Sequence, residues 1–163
     1  MALSAGYTRT QIALHWASLA IIAWQFLGED AMSDAWRAVR RGTDPGFSPL
    51  VAAHVFGGFL VLAFVLWRLM LRARRGKVAP PPGGNPVLER LAGAVHAGLY
   101  LLMAALPLSG AAAWFGGVEL AAEAHEVLTS LLLTLIGLHV VGALYHQFWL
   151  KDGLIDRMKR PAP

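Results

Sequence analysis

Six histidines punctuate a chain with few polar side chains. Four of them, His15, His54, His125 and His139, fall inside long apolar stretches. An ionisable side chain in such a stretch is costly and by default marks a functional site. Imidazole can hydrogen-bond, carry a proton or ligate a metal, and the spacing selects among these. His125 and His139 are 14 residues apart. On one helix they share nearly the same face, roughly 21 Å apart along the axis. One helix thus offers two ligands on one side at two depths, and His54 and His15 can supply the partners. Two imidazoles from different helices at one depth suit a low-spin haem iron held at both axial positions. Such a centre favours electron transfer because no open iron site is left.

Two blander readings compete. A lone membrane histidine can serve as an interhelical hydrogen-bond donor, but four at matched depths, two of them on one face, fit that role poorly. A zinc or copper site would want its ligands at one depth, often with thiolates or carboxylates. Here the pairs are separated along the helix and the chain has no cysteine, which also rules out disulfides, iron–sulfur clusters and thioether-attached haem.

The elements that must carry these residues are membrane helices. Of the 163 residues, 56% are hydrophobic and 15% charged, whereas soluble domains carry about a quarter charged residues. The composition reads as one integral membrane domain over residues 1–163, without a cleavable leader pattern or a nucleic-acid motif. A span needs about 20 apolar residues. Four candidates run over about 10–27, 49–71, 88–115 and 120–149. Ser48 before Pro49 predicts an N-cap with a first-turn proline. Pro107 is tolerable as a kink. Pro80-Pro81-Pro82-Gly83-Gly84 reads as a linker, and Gly116-Gly117 as a break. The period-two alternation of a membrane barrel is missing. The fold expected is an all-α integral membrane four-helix bundle.

Lysine and arginine orient it. Arg9, Arg68, Arg72, Arg74, Arg75, Lys77, Arg90, Lys151, Arg157, Lys159 and Arg160 fall on the side of the two termini. The opposite loops hold Arg37, Arg40 and Arg41 among seven acids, including Glu29, Asp34, Glu119, Glu123 and Glu126. The positive-inside rule puts both termini in the cytoplasm. Trp67 and Trp149 fit an inner aromatic belt, Trp24 and Trp114 an outer one, and Trp36 fits a short surface helix in the long outer loop. By depth, His54 then pairs with His125 near the outer face and His15 with His139 toward the inner face. Gly57, Gly58, Gly137 and Gly142 would let a ring or another helix approach closely. His96 has no partner at its depth. His146, seven residues beyond His139, is a rival partner for His15 and a candidate for quinone binding or proton relay near the inner site.

Leu14-His15-Trp16, Ala53-His54-Val55-Phe56-Gly57, Leu99-Tyr100-Leu101-Leu102, Pro107-Leu108-Ser109-Gly110, His125-Glu126, Gly137-Leu138-His139 and Phe148-Trp149-Leu150-Lys151-Asp152-Gly153 occur in that order. The set resembles the bacterial cytochrome b561 family over about residues 7–160. The resemblance implies a multi-pass protein of the bacterial cell inner membrane with two b-type haems, ligated at His15 with His139 and at His54 with His125. It further implies electron exchange with the ubiquinone pool and, as in superoxide oxidases, superoxide as the periplasmic electron donor. The expected activity is that of an oxidoreductase coupling superoxide oxidation to ubiquinone reduction. Arg37, Arg40 and Arg41 could then steer the anion by their field, or merely pair with the loop acids. The alternative is a quinol-linked cytochrome serving a soluble or membrane redox partner.

Overall fold

A computed structural model describes residues 6–80 and 84–162. Residues 81–83, the centre of the proline-rich linker, lie outside the described residues, as do residues 1–5 and 163. Five α-helices follow one another: α1 (Arg9–Leu27), α2 (Glu29–Arg40), α3 (Pro49–Arg75), α4 (Pro86–Gly116) and α5 (Glu119–Tyr145). A π-helical turn, His146–Leu150, extends α5, and a 3-10 turn, Ile155–Met158, precedes the C-terminus. No strand occurs among the described residues.

Local chemistry sets the helix ends. Thr8 caps α1 in a reciprocal box, its hydroxyl accepting from the Gln11 N–H while the Gln11 side chain accepts from the Thr8 N–H. Asn85 caps α4 through the Val87 N–H, with Pro86 in the first turn. Ser48 has the extended backbone of an N-cap before Pro49, but its hydroxyl makes no capping hydrogen bond. Proline, already shaped for a first turn, starts α3 without it. Gly76 (φ +82°) and Gly117 (φ +66°) end α3 and α4 in a region that a side chain would strain. α2 opens on Glu29 and Asp30 and closes on Arg37 and Arg40, an order that the helix dipole favours at both ends. It is the short helix expected around Trp36.

Three helical stretches are long and apolar enough to cross a membrane: Pro49–Arg75, Pro86–Gly116 and Glu119–Leu150. α1 reaches that standard only together with α2, from which it is bent by 57°. Arg9, Gln11, His15 and Gln25 dilute its 19 residues. α4 packs along α5 and α3, α3 packs along α1, and α2 rests on both α1 and α3. The core lies where α1, α3, α4 and α5 converge, with Ile22, Val61, Val65, Leu99, Leu102, Met103, Leu106 and Leu132. Val65 is fully buried. Many large apolar side chains face outward, Phe56, Leu101, Val141 and Trp149 among them, as hydrocarbon surroundings require. Among the described residues of α5, only Leu132 is buried.

Candidate functional site

The spacing of α5 places two imidazoles against two different helices. His125 meets His54 of α3, with ring centroids 6.4 Å apart and planes at 62°. His139 meets His15 of α1, at 6.1 Å and 64°. A metal–nitrogen bond of about 2 Å to each ring, plus about 1 Å from nitrogen to ring centre, puts two axial imidazoles about 6 Å apart. Both pairs therefore have the separation of two rings sharing one metal, and they are too far apart for a direct hydrogen bond. Among the described residues no three or more His, Asp or Glu side chains converge as a metal-binding group, so each pair offers two ligands, the number that haem iron leaves free on its axis. His146, the rival partner for His15, is bonded to Asp152.

The surroundings of His125 set its tautomer. Its Nδ1 lies 2.9 Å from the Leu106 carbonyl oxygen. A carbonyl only accepts, so Nδ1 carries the hydrogen and Nε2 is left with its lone pair. Ser109 Oγ donates to the same carbonyl at 3.0 Å and lies 3.2 Å from Nδ1. Gly110 makes room for the ring, since a Cβ there would stand 3.1 Å from His125 Cε1. The Pro107–Gly110 stretch is thus a notch that receives His125, a role its sequence did not disclose. On the other side, Gln25 of α1 donates from Nε2 to the His54 carbonyl oxygen at 3.0 Å. Its amide fills the space over Gly57, where a Cβ would come within 3.0 Å of Oε1. Gly57 therefore admits Gln25, not a neighbouring ring. His54 Nδ1 and Gln25 Oε1 are buried without partners. Around Gly137 and Gly142 nothing stands within 4 Å of an added Cβ, so these glycines mark no close approach within the chain. A cavity of about 480 Å³ opens beside His54 and His125, lined by Phe26, Val61, Met103, Gly110 and Leu132 among others.

His96 is not isolated. Its ring lies 5.1 Å from that of His139, and its Nδ1 donates to the Ala92 carbonyl oxygen at 2.7 Å. α4 begins at Pro86, which carries His96 nearly three turns along the helix, level with His139.

The chain matches the family model of prokaryotic cytochrome b561 over residues 6–161. The chain belongs to the prokaryotic cytochrome b561 family. It is 37% identical over 157 residues to a protein of Cereibacter sphaeroides named cytochrome b562, covering 96% of each chain. It is 28% identical over 176 residues to a Yersinia pestis protein named probable superoxide oxidase CybB, covering 93% of this chain and 94% of that one. Membership makes it a membrane electron-transfer protein and implies haem b. The donor set agrees, since paired neutral imidazoles without thiolates are suitable axial ligands for a b-type haem.

Beyond the histidine pairs, this b561 protein carries two polar clusters. At the α2 end, Arg37 pairs with Asp34, and Arg40 Nε reaches Glu119 Oε1 at 3.2 Å. Both flank a polar cavity of about 230 Å³ that Trp36, Glu123 and Glu126 also line. Arg41 is exposed and forms no ion pair among the described residues. At the opposite end, His146 Nδ1 donates to Asp152 Oδ2 at 2.5 Å. Burial pushes the Asp152 carboxyl up, but the hydrogen bonds from His146 and the Leu154 N–H outweigh it and hold the group below its usual range.

Proposed function

We propose that the chain is a superoxide:ubiquinone oxidoreductase of the bacterial inner membrane, folded as a four-helix bundle with both termini cytoplasmic. His54 and His125 would hold one haem b near the outer face, and His15 and His139 a second toward the inner face. When bound, these groups supply one-electron chemistry along the membrane normal. The observation that carries the reading is the two histidine couples, one member of each on α5 and each with the ring separation of a shared metal. The likeness to the Yersinia pestis protein supports superoxide as donor.

The balance is two superoxide anions, each losing one electron to become dioxygen, against one quinone taking up two electrons and two protons to become quinol. The protein's residues would do the rest. Leu106 and Ser109 hold the His125 ring, and Gln25 holds the His54 backbone. His146, anchored by Asp152, would pass protons to the quinone, since an imidazole has one nitrogen to take up a proton and another to release one. Arg37, Arg40 and Arg41 would draw the anion to the outer face.

One observation favours a second reading. Two of the three outer arginines are already paired to acids, which leaves the rim acidic. A basic periplasmic redox protein, such as a c-type cytochrome, would dock there more readily than an anion. Stopped-flow mixing of the oxidised, haem-loaded protein with superoxide separates the two. Reduction near the diffusion limit, followed by quinol formation, supports the oxidase. Slow reduction by superoxide with fast reduction by a basic cytochrome overturns it.

A further inference from the structure

Arg68 stands beside the His15/His139 pair, and no carboxylate among the described residues forms an ion pair with it. It is half-buried in α3, a helix apolar enough to cross a membrane, where a lone guanidinium is costly and ordinarily finds a partner. Its Nη2 lies 3.3 Å from His15 Nδ1, and its guanidinium stands 5.4 Å from the centre of the Tyr100 ring. Arg72, one turn on, is half-buried as well and also lacks an acid partner among the described residues.

The contact with His15 is incompatible with metal binding. A guanidinium only donates, so His15 Nδ1 must accept, and its hydrogen sits on Nε2. An imidazole that gives Nε2 to a metal carries its hydrogen on Nδ1 instead. Two donors would then face each other at 3.3 Å. His125 shows the arrangement a ligand needs, with Nδ1 donating to a carbonyl oxygen. His15 has a cation in that place.

We propose that Arg68 gives up His15 Nδ1 when a haem binds between His15 and His139, and pairs with one of that haem's carboxylates. Haem b carries two carboxylate side chains, and the planar guanidinium matches a carboxylate through two parallel N–H donors. The released cation thereby gains the anion that the protein does not provide. Arg68 is a positioning residue: it holds the edge of the group while the histidines hold its centre. The inference rests on the reading of His15 and His139 as a haem site.

The test uses the full-length protein purified in detergent with its haem, as wild type, Arg68→Gln and Arg68→Lys. Haem per polypeptide and the midpoint potential of each haem are measured. A cation near the iron favours the reduced state, so Arg68→Gln is expected to lower the potential of one haem and loosen it, leaving the other unchanged. Arg68→Lys, which keeps the charge, restores most of the potential. In protein refilled with haem whose carboxylates are methyl esters, wild type and Arg68→Gln then hold haem equally tightly. Unchanged potentials and haem content in Arg68→Gln overturn the proposal, as does a difference in haem retention that persists with the ester. His15→Ala separates this from failure of the underlying reading: if it removes no haem, the site itself is wrong and the proposal falls with it.

Discussion

His125 on α5 donates its Nδ1 hydrogen to the main-chain carbonyl of Leu106 on α4, across 2.9 Å. A proline follows Leu106, and a proline inside a helix disturbs the local backbone ladder. That effect falls on the carbonyl four residues earlier, of Met103; the Leu106 carbonyl bonded to His125 lies one turn before Gly110, on which the ring packs. The His125 ring is oriented here by main chain, which point substitution removes less readily than it removes a side chain.

Gly110 tests that arrangement. Gly110→Ala places a Cβ 3.1–3.2 Å from two atoms of the His125 ring, so the ring must shift by a few tenths of an ångström. We expect a loss of about 1–3 kcal/mol in stability and a changed spectrum for one haem. Gly110→Leu should abolish that haem while the other stays. Haem counts and low-temperature visible spectra of the purified variants check both.

The histidine pairs make a stoichiometric prediction. His54→Ala and His125→Ala should each lower the haem content from two per chain to one, and so should His15→Ala and His139→Ala. His96→Ala and His146→Ala should keep two. A pyridine haemochrome assay on each variant reads this directly, and loss of a haem in His96→Ala would reassign the inner ligand.

Charge at the α2 end separates the two electron donors. Changing Glu119, Glu123 and Glu126 together to Gln removes three negative charges from the polar cavity there and frees Arg40. For an anionic donor the rate should rise, by about tenfold at low ionic strength, and the gain should vanish in salt. For a basic protein donor the same variant should slow the reaction. Reduction rates with superoxide and with a cationic cytochrome, over a range of salt, give the answer. Neutralising Arg37, Arg40 and Arg41 should have the opposite effects.

The Asp152 carboxyl is held below its ordinary range in the folded chain. A depressed folded value contributes stability that is present above the unfolded value, near pH 4, and is lost as pH falls through the lower folded value. Asp152→Asn should therefore be less stable than wild type at pH 7 and level with it in strong acid. Thermal unfolding in detergent at several pH values measures the convergence. A constant difference at all pH values would mean that the carboxylate's charge is not what Asp152 contributes.

The juxtaposition of the four histidines is legible in the amino-acid sequence. Histidine in hydrocarbon is conspicuous because it is costly, and a separation of 14 residues on one helix defines a face and two depths without further information. His54 and His15 follow from topology. His96 does not, because its depth depends on where α4 starts, and the proline-rich linker blurs that boundary. The sequence suggests clearance at Gly57, Gly58, Gly137 and Gly142, but Gly57 and Gly58 face the Gln25 amide, Gly137 and Gly142 face open space, and the glycine that admits a ring, Gly110, is not among them. The contacts of Gln25 with His54, of Leu106 with His125 and of Arg68 with His15 join residues 29, 19 and 53 positions apart. No local pattern encodes such pairs.

Side-chain type and helical period, both local properties, account for the helical class, the apolar stretches, the four histidines in them and the asymmetry of basic charge. Tertiary packing was needed to settle which nitrogen His125 leaves free, which arginines are already neutralised and which glycine serves which neighbour. Those depend on the approach of one helix to another to within a few tenths of an ångström, a distance that packing sets and periodicity does not carry.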